Sequence, residues 1–167
     1  MVIELSDLQG TAVRSATGQM LGKVDFAVFN GKEATLLGFQ IARPGVVKKF
    51  AGLYFADLID IARDELVIEN DSILKPNLRD FDQAYKNFGP VVGVNATTQS
   101  GIKLGKVADL YLDLTTGGII RFYVRHLLNE RIIPQQYLIA ITPEQIVFND
   151  VVGEPMFEKT ATQAAQS

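Results

Sequence analysis

Residues 17–24 read TGQMLGKV, and residues 100–107 read SGIKLGKV. Each phrase opens on a hydroxyl residue followed by Gly and closes on Leu-Gly-Lys-Val. Gly18 and Gly101 lie 83 residues apart, and so do Lys23 and Lys106. The echo continues downstream: Leu37-Gly-Phe39 answers to Ile120-Arg-Phe122, and Ile41 to Val124, still at 83. Leu58-Ile-Asp-Ile61 then answers to Leu138-Ile-Ala-Ile141, and Asp64 to Ile68 answers to Glu144 to Phe148, now at 80. The first copy therefore carries three extra residues around Pro44 to Gly52. Self-similarity at a fixed spacing decides an architecture before any local pattern does, and here it divides most of the chain into two equivalent units.

Within each unit, apolar residues alternate as on half-buried strands. Val24, Phe26 and Val28 do so around Asp25, and Leu37, Phe39 and Ile41 follow suit. Val107, Leu110, Leu112, Ile120, Phe122 and Val124 repeat the pattern. In the first copy this predicts strands over 12–15, 22–29, 35–41, 50–55, 59–61 and 66–69, with a single helical turn at 57–58 and its counterpart at 136–138. Asn30-Gly31 and Gly117-Gly118 are hairpin signals. Gly18 and Gly101 fit the positive-φ position of a tight turn. Gly22 and Gly105 interrupt a strand pattern, where Gly marks a bulge or bend that lets a small sheet curl. A phosphate-cradling loop would need a helix after the glycines, and none follows. Lys23 and Lys106 read as edge protection on an outward strand face.

The expected fold class is all-β: two small, mostly antiparallel barrels in tandem, joined by a short linker helix. The boundaries are 1–75 for the first barrel, 76–88 for the helix, 89–152 for the second barrel and 153–167 for a flexible tail with little to bury. The helix rests on Leu78, Phe81, Tyr85 and Phe88, which fall on one face. That stripe is expected to pack between the barrels, related by approximate two-fold symmetry.

Hydrophobic residues make up 47% of the chain and charged ones 21%, enough for a core and against global disorder. The formal charge is −3, which argues against a broad phosphate-binding surface. Cysteine is absent, which removes disulfides, thiolate nucleophiles and Cys metal sites and fits a reducing compartment. The N-terminus has acidic residues and no apolar run behind a basic start, and no stretch is long enough to span a bilayer. A cytoplasmic protein is expected.

The run G-x-x-L-G-K-V opening a strand, the aromatic-apolar strand after it and the closing hairpin I-x-I-x-x-D-x-L-V-I resemble the PRC-barrel family, across roughly residues 5–72 and 89–152. Copy two departs from copy one in lacking the acid at the place of Asp57, where it carries Tyr137 or Gln136. The resemblance implies small β-barrels without a catalytic centre, acting as binding and assembly modules. Family members serve photosynthesis, RNA metabolism and archaeal cell division. It brings no functional residue that can be transferred.

The residues agree with a non-enzymatic reading. His126 is the one histidine, so any Ser-His-Asp triad must use it, and a zinc site would have only carboxylates to add. Asp57, Asp60, Asp64, Glu65, Glu69 and Asp71 gather in the first copy, but Asp60 and Glu69 alternate with apolar neighbours, as on a solvated strand face. No cofactor and no metal are expected. The candidate partner-binding residues lie in two loops that join equivalent strands. One holds Arg43, Val46, Val47, Lys48, Lys49 and Phe50; the other holds Arg125, His126 and Arg131. Cationic and apolar side chains borne on loops suit an acidic partner or nucleic acid. The expected function is that of an adaptor engaging a protein through these loops or the groove between barrels. The alternative is an RNA-processing or ribosome-associated factor bound to RNA or a ribosomal protein. Residues 1–75 carry eight basic and ten acidic side chains, and 89–152 five of each, so neither copy is a nucleic-acid module by charge alone.

Overall fold

The computed structural model describes residues 1–62, 64–154 and 159–160. The protein is mostly β, arranged as two sheets with one α-helix. The first sheet is built from β2 (Ala12–Ser15), β3 (Met20–Asn30), β4 (Thr35–Ala42), β5 (Phe50–Tyr54), β6 (Asp60–Ala62) and β7 (Glu65–Ile68). Its order is β5-β4-β3-β2-β7-β6, with β2 and β7 parallel and the other pairs antiparallel. The second sheet contains β8 (Asn95–Thr98), β9 (Lys103–Asp113), β10 (Ile119–His126), β11 (Asn129–Pro134), β12 (Leu138–Ile141) and β13 (Gln145–Phe148). It repeats the path as β11-β10-β9-β8-β13-β12, again with one parallel pair, β8 on β13. The registers coincide too. Ala12 faces Lys23 and Glu65, while Asn95 faces Lys106 and Gln145, which reproduces the offsets of 83 and 80.

The sheets bend at the glycines singled out above. The β2–β3 register shifts beside Gly22, and the β8–β9 register shifts beside Gly105. Gly105 has φ +123°, and a Cβ placed there would lie 2.3 Å from the Arg125 carbonyl oxygen. Only a residue without a side chain lets β9 and β10 come this close. Short 3₁₀ turns at Phe55–Asp57 and Gln135–Tyr137 lead into β6 and β12, in line with the expected helical turns.

The closed barrels expected of the copies are not formed: neither strand path returns to its own start, and both sheets are open. One edge of each sheet is met by another segment. Lys75 and Gly52 exchange backbone hydrogen bonds at 2.7 and 3.0 Å along β5, and β14 (Lys159–Thr160) pairs with Asn129 and Glu130 along β11. Covering an edge removes its exposed N–H and C=O groups as barrel closure would. β14 lies inside the segment expected to be a flexible tail. The rest of that segment beyond Glu154 lies outside the described residues. Lys23 and Lys106 are exposed, as expected of an outward face, but they do not guard edges. β3 runs between β2 and β4, and β9 between β8 and β10.

The two units meet along a pseudo-two-fold axis. Leu36 N–H donates to the Gly117 carbonyl and Ile119 N–H to the Ala34 carbonyl, both at 2.8 Å. Residues 34 and 117 are equivalent under the 83-residue shift, as are 36 and 119. Thr35 bridges Gly118, its own counterpart. Ala34 and Gly117 also share a left-handed backbone, at φ +53° and +78°. One continuous core unites both units, from Leu8, Val13 and Phe39 to Phe122, Ile146 and Phe148.

α1 (Arg79–Phe88) lays the first half of its stripe on the first unit, while Tyr85 lines a hollow between the units and Phe88 packs against the shared core. Phe81 and Ala84 bury themselves against Val28, with Phe26, Leu37 and Tyr54 around them, all of the first unit. Gly38 and Gly52 leave the trough that Phe81 fills: a Cβ at Gly38 would stand 2.6 Å from Phe81 Cζ.

β1 (Val2–Glu4) crosses from the first unit to pair with β9. Its Glu4 accepts a hydrogen bond from the Tyr111 hydroxyl at 2.9 Å, and the Arg121 guanidinium lies 4.2 Å from the centre of the same ring. Burial, and then the hydrogen bond to Glu4, push the Tyr111 phenol from 10.0 up to about 12. A phenol whose pKa is raised by folding stabilises the fold fully below the unfolded value and ceases to do so as pH rises through the folded one. We therefore expect the contribution of Tyr111 to the stability of the fold to fall away between about pH 10 and pH 12. Tyr111→Phe should remove the last step of the phenolate absorbance titration. Persistence of that step in the variant would place the high-pH group elsewhere.

Candidate functional site: two hairpin tips and a cationic groove

The β4–β5 and β10–β11 hairpins carry every candidate residue. In the first, Arg43 N–H donates to the Lys49 carbonyl at 2.8 Å, closing the loop. The Arg43 guanidinium pairs with Asp71 and is partly withdrawn from solvent. Val46 and Val47 stand out at the tip, with Phe50 half-exposed and Lys48 and Lys49 in solvent. In the second hairpin, His126 faces Asn129 in register, which leaves Leu127 and Leu128 as a two-residue turn. The loop difference matches the three-residue insertion: Ala42 faces Phe50, while its counterpart Arg125 faces Glu130.

That short turn runs against local chemistry. Two-residue hairpins favour residues that tolerate positive φ, above all Asn-Gly. Here Leu127 takes φ +53°, and Leu127 and Leu128 remain 84% and 75% exposed. A bulky apolar residue in a left-handed conformation, with its side chain in water, is disfavoured twice over. Such conflicts between local preference and fold concentrate at functional sites.

Arg125 forms an ion pair across the strands with Glu130, through Nη2 at 2.8 Å and Nε at 3.0 Å. His126 is exposed. Arg131 does not face solvent: it is 9% exposed, and its Nη1 donates to the Leu104 carbonyl at 3.4 Å. It braces the sheet behind the surface formed by the others.

Beside this hairpin opens a groove of about 700 Å³ across the outer face of the second sheet. Lys103 and Lys106 come from β9, Arg125 and His126 from β10, and the neutral Asn95, Thr97 and Gln145 from β8 and β13. Leu127 stands at its margin, and no carboxylate lines it. Its shape follows from the bend at Gly105, which is part of the wall. No residue of 43–50 reaches this groove. The Thr35–Gly118 bridge is antiparallel, so β4 and β10 leave it in opposite directions. Each tip then ends up to about 23 Å of extended strand from the axis. The two loops thus form two separate surfaces rather than one grip.

A second hollow of about 490 Å³ lies between the units, lined by Leu5, Leu8, Val24, Phe26, Tyr85 and Val92 among others. Its acidic member, Asp109, accepts hydrogen bonds from the Ser6 N–H at 3.1 Å and the Ser6 hydroxyl at 2.5 Å. Among the described residues, no group of three or more His, Asp or Glu side chains is placed to hold a metal ion, and no helix is long and apolar enough to cross a membrane. No protein-family model matches the sequence, and no curated protein matches it.

Proposed function

We propose that the chain is a non-enzymatic binding module of tandem PRC-barrel type, which engages a protein partner through the β10–β11 hairpin. The family likeness of residues 5–72 and 89–152 and the repeated strand path support the class of protein. The observation that carries the binding reading is the Leu127–Leu128 turn. Two exposed leucines in a turn whose positive φ at residue 127 favours Gly supply an apolar anchor, and Arg125 and His126 form a polar rim beside it.

Replacing the leucines with the residues the turn prefers separates function from folding. Leu127→Gly with Leu128→Asn should leave the protein as stable as before or more so, by about 0.5–1 kcal/mol, because the positive φ of residue 127 suits Gly and no core side chain is lost. The same change should abolish capture of the partner that the tagged full chain retains from its native cell extract. A variant that is destabilised, or that captures the partner undiminished, would remove the hairpin as the binding surface.

A further inference from the structure

We propose that the cationic groove on the second sheet holds an acidic, extended segment of the protein partner, an inference that rests on the protein-binding reading above. The argument comes from a comparison the molecule makes with itself. The first sheet presents the same surface with the same registers. Lys23 faces Ala42 where Lys106 faces Arg125, and Arg14 faces Met20 where Thr97 faces Lys103. Glu65 stands at the place of Gln145, opposite Ala12 as Gln145 is opposite Asn95. Asp25 stands at the place of Ala108, 83 residues earlier.

In the first copy these carboxylates are engaged. Glu65 pairs with Arg14 at 3.1 Å, and Asp25 accepts from Gln40 Nε2 at 2.9 Å. In the second copy both carboxylates are gone, and a lysine has replaced Met20. These three shift the charge in the positive direction, as does Arg125 at the place of Ala42; Thr97 for Arg14 and His126 for Arg43 shift it back, and the balance stays positive. The exchanges leave Lys103, Lys106 and His126 in the groove with no carboxylate among its described lining residues, and Arg125 paired with Glu130. A fold that needed only a solvated face could have kept the paired charges of its twin.

The lining also discriminates among anions. Among the described residues it holds no Phe, Tyr or Trp, and the flat groups that could stack on a base are His126 and an Arg125 already tied to Glu130, a small platform for single-stranded RNA. The amides of Asn95 and Gln145, the Thr97 hydroxyl and the apolar Ala108 and Leu127 suit a peptide instead. They can take its backbone hydrogen bonds and alternate side chains, while the lysines meet its carboxylates.

Fluorescence anisotropy with the full chain tests this. The probe is a short fluorescein-labelled peptide of alternating glutamate and leucine, compared with its glutamine-leucine counterpart and with labelled oligouridylate. The acidic peptide should bind about tenfold or more tightly than the neutral one, with an affinity that falls as salt rises. Ala108→Asp with Gln145→Glu returns to the second copy the carboxylates that the first copy carries in the same fold. It should weaken the acidic peptide about tenfold while leaving thermal unfolding unchanged. Equal binding of the two peptides, unchanged affinity in the variant, or oligouridylate binding tighter than the acidic peptide would each overturn the proposal. Capture of the native partner separates the two readings. A partner retained by the carboxylate variant but lost with the leucines overturns the groove alone; a partner retained by both variants overturns the binding surface itself.

Discussion

Gly105→Ala is expected to cost about 4 kcal/mol or more, against about 1–2 kcal/mol for Gly101→Ala. Both glycines have positive φ, +123° and +93°, so both alanines bear left-handed strain. They differ in what the new methyl group meets. At Gly101 nothing lies within 4 Å. At Gly105 the methyl carbon would sit 2.3 Å from the Arg125 carbonyl oxygen, 2.8 Å from its carbon and 2.9 Å from His126 Cβ. Two of these are backbone atoms of the neighbouring strand and cannot turn aside. β9 and β10 would have to part where Lys106 pairs with Arg125. Against a typical total stability of about 5–15 kcal/mol, this change removes a large share of what holds the fold. Urea denaturation of the two variants measures the difference. Similar midpoints would mean that the bend at Gly105 is soft, and that the groove it shapes is not a fixed feature of the protein.

Gly22 and Gly105 show what was legible in the sequence. A glycine that breaks a strand pattern twice, 83 residues apart, announces a repeated bend, because bulge, turn and alternation are local properties. The shorter loop of the second copy was legible for the same reason. What escaped depends on contacts between distant segments. Val2–Glu4 is too short to carry a pattern, and nothing in those residues says that they pair with 111–113. The apolar stripe of α1 was readable as a stripe, but its place on the first sheet depends on the trough at Gly38 and Gly52. Closed barrels were expected because curling sheets commonly hide their edges that way; Lys75 and β14 instead meet one edge of each sheet, at β5 and β11.

At the candidate site, the hairpin residues were found from composition and loop position. The exposure of Leu127 and Leu128 was not, since two leucines after an alternating strand look like more core. Lys103 and Lys106 were missed as members of the groove. They meet Arg125 only through the registers of Thr97 with Lys103 and Lys106 with Arg125. A signal for them did exist: aligning the two copies exposes the exchange of Asp25, Glu65 and Met20 for Ala108, Gln145 and Lys103.

Phe122→Ala is expected to cost about 3–5 kcal/mol and to destabilise both units together. Phe122 is fully buried and meets Phe148 edge to face, with ring centres 5.1 Å apart. Truncation leaves a cavity in a core that holds Phe39, Leu53 and Leu66 of the first unit as well as Leu110 and Ile146 of the second. Two further ties cross the boundary: β1 paired with β9, and the Thr35–Gly118 bridge. If these make one cooperative structure, the variant unfolds in a single transition, and amide exchange accelerates in β3 and β4 as much as in β9 and β10. The units would then be held at a fixed angle, and the two hairpin tips would face away from each other as parts of one rigid body. Protection lost from the second sheet alone would show instead that each copy folds by itself. In that case the shared core would be an interface between two domains, free to reorient when either tip is bound.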